Sequence, residues 1–204
     1  IRHAGMELHE GEEDYLEGLI LAGVGSRTVL NYLETFASAH DGFEFLGGTA
    51  QAKYLVAAFA ADDAFEASQY WNGKGQFWLA LNGEEEGDKG IELEGDLFGD
   101  DQNAAKPILS NLTLLGSGCT ELGNPLNTMG LQFSHGAAGL ITNSIFRGYK
   151  YALQVDDEIG NNDSWQQLEE GRLQIRNNIW DAFCEGQEWD NSEDGILFVD
   201  EDAA

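Results

Sequence analysis

One short phrase recurs along the chain and constrains its fold more than any other feature. The phrase is a small residue, an apolar residue, a variable or polar residue and a second apolar residue. It reads Gly18-Leu19-Ile20-Leu21, Gly42-Phe43-Glu44-Phe45, Ala64-Phe65-Glu66-Ala67 and Gly90-Ile91-Glu92-Leu93. It continues as Gly130-Leu131-Gln132-Phe133, Ala152-Leu153-Gln154-Val155 and Gly195-Ile196-Leu197-Phe198. Successive copies are offset by 24, 22, 26, 40, 22 and 43 residues. The two long offsets mark either a drifted copy or an inserted loop.

A second phrase falls between these copies. It is Thr28-Val29-Leu30-Asn31-Tyr32-Leu33, then Ala52-Lys53-Tyr54-Leu55-Val56, then Gln76-Phe77-Trp78-Leu79-Ala80-Leu81. Later versions occupy 108–114, 140–146 and 173–179. Each is short, apolar-rich and mostly alternating, which is strand periodicity. Two or three short strands per unit of roughly 22 residues, joined by Gly, Asn and Asp, predict an all-β right-handed parallel β-helix of about seven to nine coils. A leucine-rich repeat would need a persistent LxxLxL phrase, and a β-sandwich would not repeat at this spacing. The rise per coil is then about 4.8 Å. Phe43, Phe65 and Ile91 should stack in the core, and Glu44, Glu66, Glu92, Gln132 and Gln154 should form an outward column.

Excursions from the coil are expected at 82–88, 97–106, 117–128, 156–170 and 185–193, with a short helix near Ser164–Glu170 capped by Ser164. Glu84-Glu85-Glu86 reads as a solvated charge run. The whole chain, 1–204, reads as one domain.

Asp and Glu number 37 against 10 Lys and Arg, a formal net charge of -27. That excludes nucleic acid, whose binding needs basic residues to displace counterions, and argues against docking on anionic lipid. Disorder is excluded by the many Phe, Leu, Ile and Trp among the acids. Adaptation to high salinity would make most of these acids solvating groups. Cys119 and Cys184 form no CxxC and have no His at metal-ligand spacing, and their pairing stays open. No run of 18 apolar residues offers a membrane span. The chain opens at Ile1 without a signal peptide and reads as the C-terminal part of a longer precursor.

Several linked phrases carry a resemblance. They are Ile1-Arg2-His3-Ala4-Gly5, Gly23-Val24-Gly25, Asp41-Gly42-Phe43-Glu44-Phe45-Leu46-Gly47-Gly48-Thr49, Asp62-Asp63, Gly73-Lys74-Gly75-Gln76-Phe77, Leu112-Thr113-Leu114-Leu115-Gly116-Ser117-Gly118 and Gly139-Leu140-Ile141-Thr142-Asn143-Ser144-Ile145-Phe146. Together they resemble secreted or lipoprotein-like right-handed parallel β-helix proteins of marine and Bacteroidetes-type bacteria, over most of residues 1–155. The resemblance implies a β-helix fold, export to the outside or the outer cell surface, and a further N-terminal segment. It implies no activity and no functional residues.

Three chemistries remain to be weighed. Pectin hydrolases of this fold use paired Asp residues with a nearby His, which makes Asp62, Asp63 and His135 the catalytic candidates. Against them, no Asn-Thr-Asp or Arg-Ile-Lys phrase occurs, and His135 should lie about three coils from Asp63, on the order of 14 Å. The bland reading has Asp62 and Asp63 capping a turn. A uronate lyase needs a basic groove, for which only Lys53 and Lys74 could come together. Calcium takes six to eight oxygens, and Glu44, Glu66, Glu92, Asp41 and Asp63 are the metal candidates, with Asp156-Asp157-Glu158 as a further cluster. No EF-hand or GGxGxDxUx phrase supports them. A sugar platform would fall on Tyr70 and Trp71. Ser134 and His135 are sequence neighbours and should face opposite sides of a strand, which removes a serine triad.

The first expectation is therefore a non-enzymatic extracellular scaffold, adhesive or partner-binding. A polysaccharide-active enzyme or carbohydrate-binding module and a calcium-binding surface protein are the alternatives.

Overall fold

Copies of the first phrase lie directly on one another, except that the last slips by one residue, so that Leu197 stands opposite Leu153 and Phe198 opposite Gln154. In the computed structural model, which describes residues 1–7, 15–95, 105–118, 127–156, 163–184 and the backbone of 197–198, the chain is almost all β. In chain order the strands are β1 (Met6–Glu7), β2 (Tyr15–Leu16), β3 (Leu19–Ala22), β4 (Val29–Phe36), β5 (Phe43–Leu46), β6 (Gln51–Ala58), β7 (Phe65–Ser68), β8 (Lys74–Gln76), β9 (Leu79–Leu81), β10 (Ile91–Glu94), β11 (Ile108–Ser110), β12 (Thr113–Leu115), β13 (Met129–Ser134), β14 (Gly139–Thr142), β15 (Ile145–Arg147), β16 (Tyr151–Val155), β17 (Leu173–Arg176), β18 (Ile179–Asp181) and β19 (Leu197–Phe198). One helix, α1 (Ser164–Glu169), precedes β17.

The first sheet is parallel, in the order β19-β16-β13-β10-β7-β5-β3. Its register sets Leu19, Phe43, Phe65, Ile91, Leu131 and Leu153 opposite one another in succession. The expected core ladder of Phe43, Phe65 and Ile91 is present, each at most 1% exposed. Because β10 pairs directly with β13, the offset of 40 residues is a loop insertion and not a lost rung. The small residue that opens each phrase also has a cause. A Cβ on Gly42 would stand 2.5 Å from the Ala64 carbonyl oxygen, and one on Gly90 would stand 2.7 Å from that of Gly130.

The second sheet stacks the other phrase in parallel: β17, β14, β11 and β8 along one arm, β9, β12, β15 and β18 along the other, with β6 and β4 spanning both. The arms meet at a corner where one residue per coil is left-handed: Tyr32, Tyr54, Phe77, Asn111, Asn143 and Asn177, with φ between 55° and 60°. Asn tolerates that conformation, whereas an aromatic residue does so at a cost of order 1–3 kcal/mol. Ring stacking offsets it: Tyr32 lies 4.6 Å from Tyr54, and Tyr54 lies 5.2 Å from Phe77.

The core between the sheets is aromatic in the early coils. Phe43 stacks on Phe65 at 5.4 Å, Phe65 on Trp78 at 4.7 Å and Phe45 on Trp71 at 4.5 Å. Trp78 donates its indole N–H to the Ala52 carbonyl at 3.0 Å. α1 packs Trp165 and Leu168 on this core, but its cap is Asp163, whose Oδ1 accepts the Trp165 N–H at 2.7 Å. Ser164, expected to cap, lies one residue inside the helix and is buried. Glu84, Glu85 and Glu86 are exposed as expected. The loop carrying them is fastened by buried Asn127, which donates to the Gly83 and Gly87 carbonyls at 3.2 and 3.0 Å.

Most of the other expected excursions fall in 96–104, 119–126, 157–162 and 185–196, outside the described residues, as do Asp157, Glu158 and Cys119. Cys184 is disulfide-bonded.

Candidate functional site

A row of acidic residues lines one border of the first sheet, in the turns that enter β3, β5, β7 and β10. Two positions per coil matter. The residue directly before the phrase is Glu17, Asp41, Asp63 and then Lys89 on successive coils; the residue before that is His40, Asp62 and Asp88 on the last three. Each carboxyl of the first column accepts the backbone N–H of the next coil. Glu17 Oε2 takes that of Asp41 at 2.6 Å, Asp41 Oδ1 that of Asp63 at 3.0 Å, and Asp63 Oδ1 that of Lys89 at 2.8 Å. Asp41 and Asp63 are each 2% exposed. The bland reading of Asp63 as a turn-capping group therefore describes what its carboxyl does.

Two cations are built into this border. His40 Nδ1 meets Glu17 Oε2 at 2.8 Å, its Nε2 meets Asp62 Oδ2 at 3.0 Å, and its ring stacks on Tyr15 at 4.3 Å. Lys89 Nζ lies 3.0 Å from Asp88, 3.1 Å from Glu92 and 3.5 Å from Asp63. Asp88 also accepts the Thr128 hydroxyl.

The environment spreads the protonation states apart. Hydrogen bonds to Asp62 and Glu17 lift His40 to about 10. The same bond to His40 holds Asp62 below the usual carboxylate range. Burial, a hydrogen bond to Glu66 and the charge of Asp63 push Asp41 up to about 12. Burial raises Asp63 well above its ordinary value against the pull of Lys89. Burial disfavours the ammonium of Lys89, but Asp63, Glu92 and Asp88 outweigh it and raise its pKa.

On the sheet face, Glu44, Glu66, Glu92, Gln132 and Gln154 form the expected column, in direct register. Its members are half-buried, and Gln154 is only 9% exposed. Burial and the charge of Glu66 raise Glu44 to about 7. Burial and the charge of Glu92 do the same for Glu94. Glu66 is raised by burial, although its bond from Asp41 pulls the other way.

The candidate catalytic residues Asp63 and His135 stay apart, though by fewer coils than expected. Asp63 and His135 lie at opposite ends of their strands and two rungs apart, not three, because β10 alone separates β7 from β13. The histidine of Asp62 is His40. Its signal was present in the sequence: His40-Asp41 precedes Gly42 as Asp62-Asp63 precedes Ala64, 22 residues on. Ser134 and His135 do meet, with Oγ and Nδ1 3.2 Å apart, because the left-handed φ of 51° at His135 breaks the strand alternation. Glu94 approaches the same Nδ1 at 3.7 Å, so this hydroxyl and this acid meet one ring nitrogen and not the two that a triad uses.

Trp71 is fully buried against Phe45 and Trp78 and offers no face to a sugar, so it cannot serve as the platform expected of it. Tyr70 beside it is partly exposed. Lys53 and Lys74 do not face each other, since their register partners are Gln76 and Gln51.

Among the described residues, two groups of side chains bring three ligand atoms within 4.8 Å of one another: Glu17, His40 and Asp41, and Asp62, Asp63 and Asp88. Both overlap the built-in cations, since His40 belongs to the first and Lys89 contacts two members of the second. Hollows among the described residues lie elsewhere. One of about 400 Å³ runs beside Tyr32, Tyr54 and Phe77, and one of about 510 Å³ beside Arg147 and Phe183.

No curated protein and no solved structure matches the chain. A family model described as a pectate-lyase-like β-helix domain matches residues 1–195. With stacked parallel rungs over the described residues and a match across nearly the whole sequence, the chain belongs to the pectate-lyase-like β-helix domain family.

Proposed function

We propose that this β-helix is a non-catalytic scaffold of an exported or surface-displayed protein, presenting its acidic sheet face to a partner. One observation carries the reading: the buried carboxyl of Asp63 is occupied by the Lys89 backbone N–H and faces the Lys89 ammonium. Asp63 is thereby engaged in joining coils and is not available as a base. Export is supported by the disulfide at Cys184, since such bonds persist in oxidising compartments. The partner is an extracellular polysaccharide or another surface protein. The test is a degradation screen over neutral and uronate polysaccharides, reading reducing ends and unsaturated products. No turnover is expected; turnover abolished by Asp62→Asn in a folded protein would overturn the scaffold.

A second reading has one specific support. Asp62 is ionised with its side chain 39% exposed, while Glu44 and Glu94 on the neighbouring face titrate near 7. Carboxyls driven apart in this way can divide acid and base roles. Under this reading, Glu44→Gln removes polysaccharide turnover without changing the melting curve below pH 5.

A further inference from the structure

Strand β4 has one covered edge and one that is only part-covered. On one side β6 pairs with it from Val29 to Phe36. On the other, only its end is met. Arg2 bridges Phe36 in parallel. Phe36 N–H donates to the Ile1 carbonyl at 2.9 Å, and His3 N–H donates to the Phe36 carbonyl at 2.8 Å. The Ile1 nitrogen donates to the Glu34 carbonyl at 2.7 Å. Among the described residues no strand pairs with Val29–Leu33 on this side. The side chains record the same gap. Tyr54, with a ring on each face, is 39% exposed, whereas Tyr32, stacked on one face only, is 78% exposed, as is Val29.

An open edge with an apolar border accepts another strand. We propose that this edge seats one more strand of the same chain, parallel to β4 and formed by the residues that directly precede Ile1 in the intact gene product. The bonds already made fix its register. In a parallel ladder one residue bonds to the two that flank its partner. Phe36 does so with Ile1 and His3, and Glu34 has made the second of its two bonds, to Ile1. The residue immediately before Ile1 therefore lies opposite Glu34, and the carbonyl of the residue before that accepts the Glu34 N–H.

Continuing backward, the second, third and fifth residues before Ile1 face Leu33, Tyr32 and Leu30. Leu30 is buried and Leu33 packs on the core, so the second and fifth positions are apolar. The third takes the left-handed corner and is Asn, Gly or an aromatic ring lying on Tyr32. A covalently joined strand has the advantage of proximity over a free one. A second copy would have to approach against a net charge of -27. The inference is independent of whether the acidic face binds or catalyses.

Amide hydrogen exchange tests it on two polypeptides: the chain from Ile1, and the same chain extended upstream as its gene encodes. The Glu34 amide is expected to exchange at least about tenfold more slowly in the extended protein, while the Leu55 amide, inside the sheet, reports an intact fold in both. In the extended protein, Asp at the second position before Ile1 restores fast exchange at Glu34 without affecting Leu55. Equal exchange at Glu34 in both polypeptides overturns the proposal, and so does an upstream sequence lacking apolar residues at the second and fifth positions. Protection at Glu34 in the shorter chain that disappears on dilution also overturns it, by showing that a second copy covers the edge.

Discussion

The Oδ1 of Asp41 accepts the backbone N–H of Asp63 at 3.0 Å across a gap of 22 residues. Asp41 is held neutral and shares a hydrogen bond with Glu66, so an amide can take over both of its contacts. Asp41→Asn is expected to cost less than about 1 kcal/mol in urea unfolding, and Asp41→Ala about 1–3 kcal/mol, because it strands the Asp63 amide. Equal losses would show that the carboxyl is needed as a charge.

Phe65 sits between Phe43 and Trp78 in the aromatic core. Phe65→Ala is expected to cost about 3–5 kcal/mol, since the stack on both sides is held by neighbouring coils and cannot collapse into the cavity. A loss under about 1 kcal/mol would contradict the stacking.

The rungs were readable because their cause is periodic. Phe43, Phe65 and Ile91 obey strand alternation, and offsets of 22 and 26 residues bring them into register. The border was harder to read because its residues lie in turns, where alternation no longer says which way a side chain points. Asp63 was visible as half of an acid pair, but its burial follows from the amide of Lys89 one coil away. His135 failed for the same reason: a left-handed backbone turned it toward Ser134. Trp71 was a sugar-platform candidate in the sequence, yet the left-handed pair Gln69 and Tyr70 folds the chain back and drives its ring into the core.

Lys89 stands where a divalent ion would otherwise neutralise Asp63, Asp88 and Glu92. Chelation with EDTA is therefore expected to leave the melting temperature of the parent protein unchanged. Lys89→Met removes the cation from a largely buried group of acids and should cost about 2–4 kcal/mol. Added calcium should restore part of that loss in the variant alone. A rise of several degrees in the parent protein with calcium would establish an ion site separate from Lys89.

The pH dependence has two windows. His40 is raised from 6.5 to about 10, so its stabilisation is complete below pH 6.5 and is lost as pH rises through 10. Glu44 and Glu94 are raised from 4.5 to about 7. Their folded forms hold protons that the unfolded chain releases, so stability falls as pH rises from 4.5 to 7. Melting temperature at fixed ionic strength should drop from pH 5 to 7 and again from 7 to 10. His40→Gln should shrink only the upper drop, to which Asp41, raised from 3.8 to about 12, also contributes. A melting temperature that climbs with pH would refute both assignments.

Within the first sheet each strand pairs only with the one before and the one after. Tension applied to the two termini would therefore not break the whole molecule at once. It would peel the chain from whichever extremity is weaker, releasing roughly one turn's length per event, and single-molecule extension traces would show a sawtooth of small, similar steps.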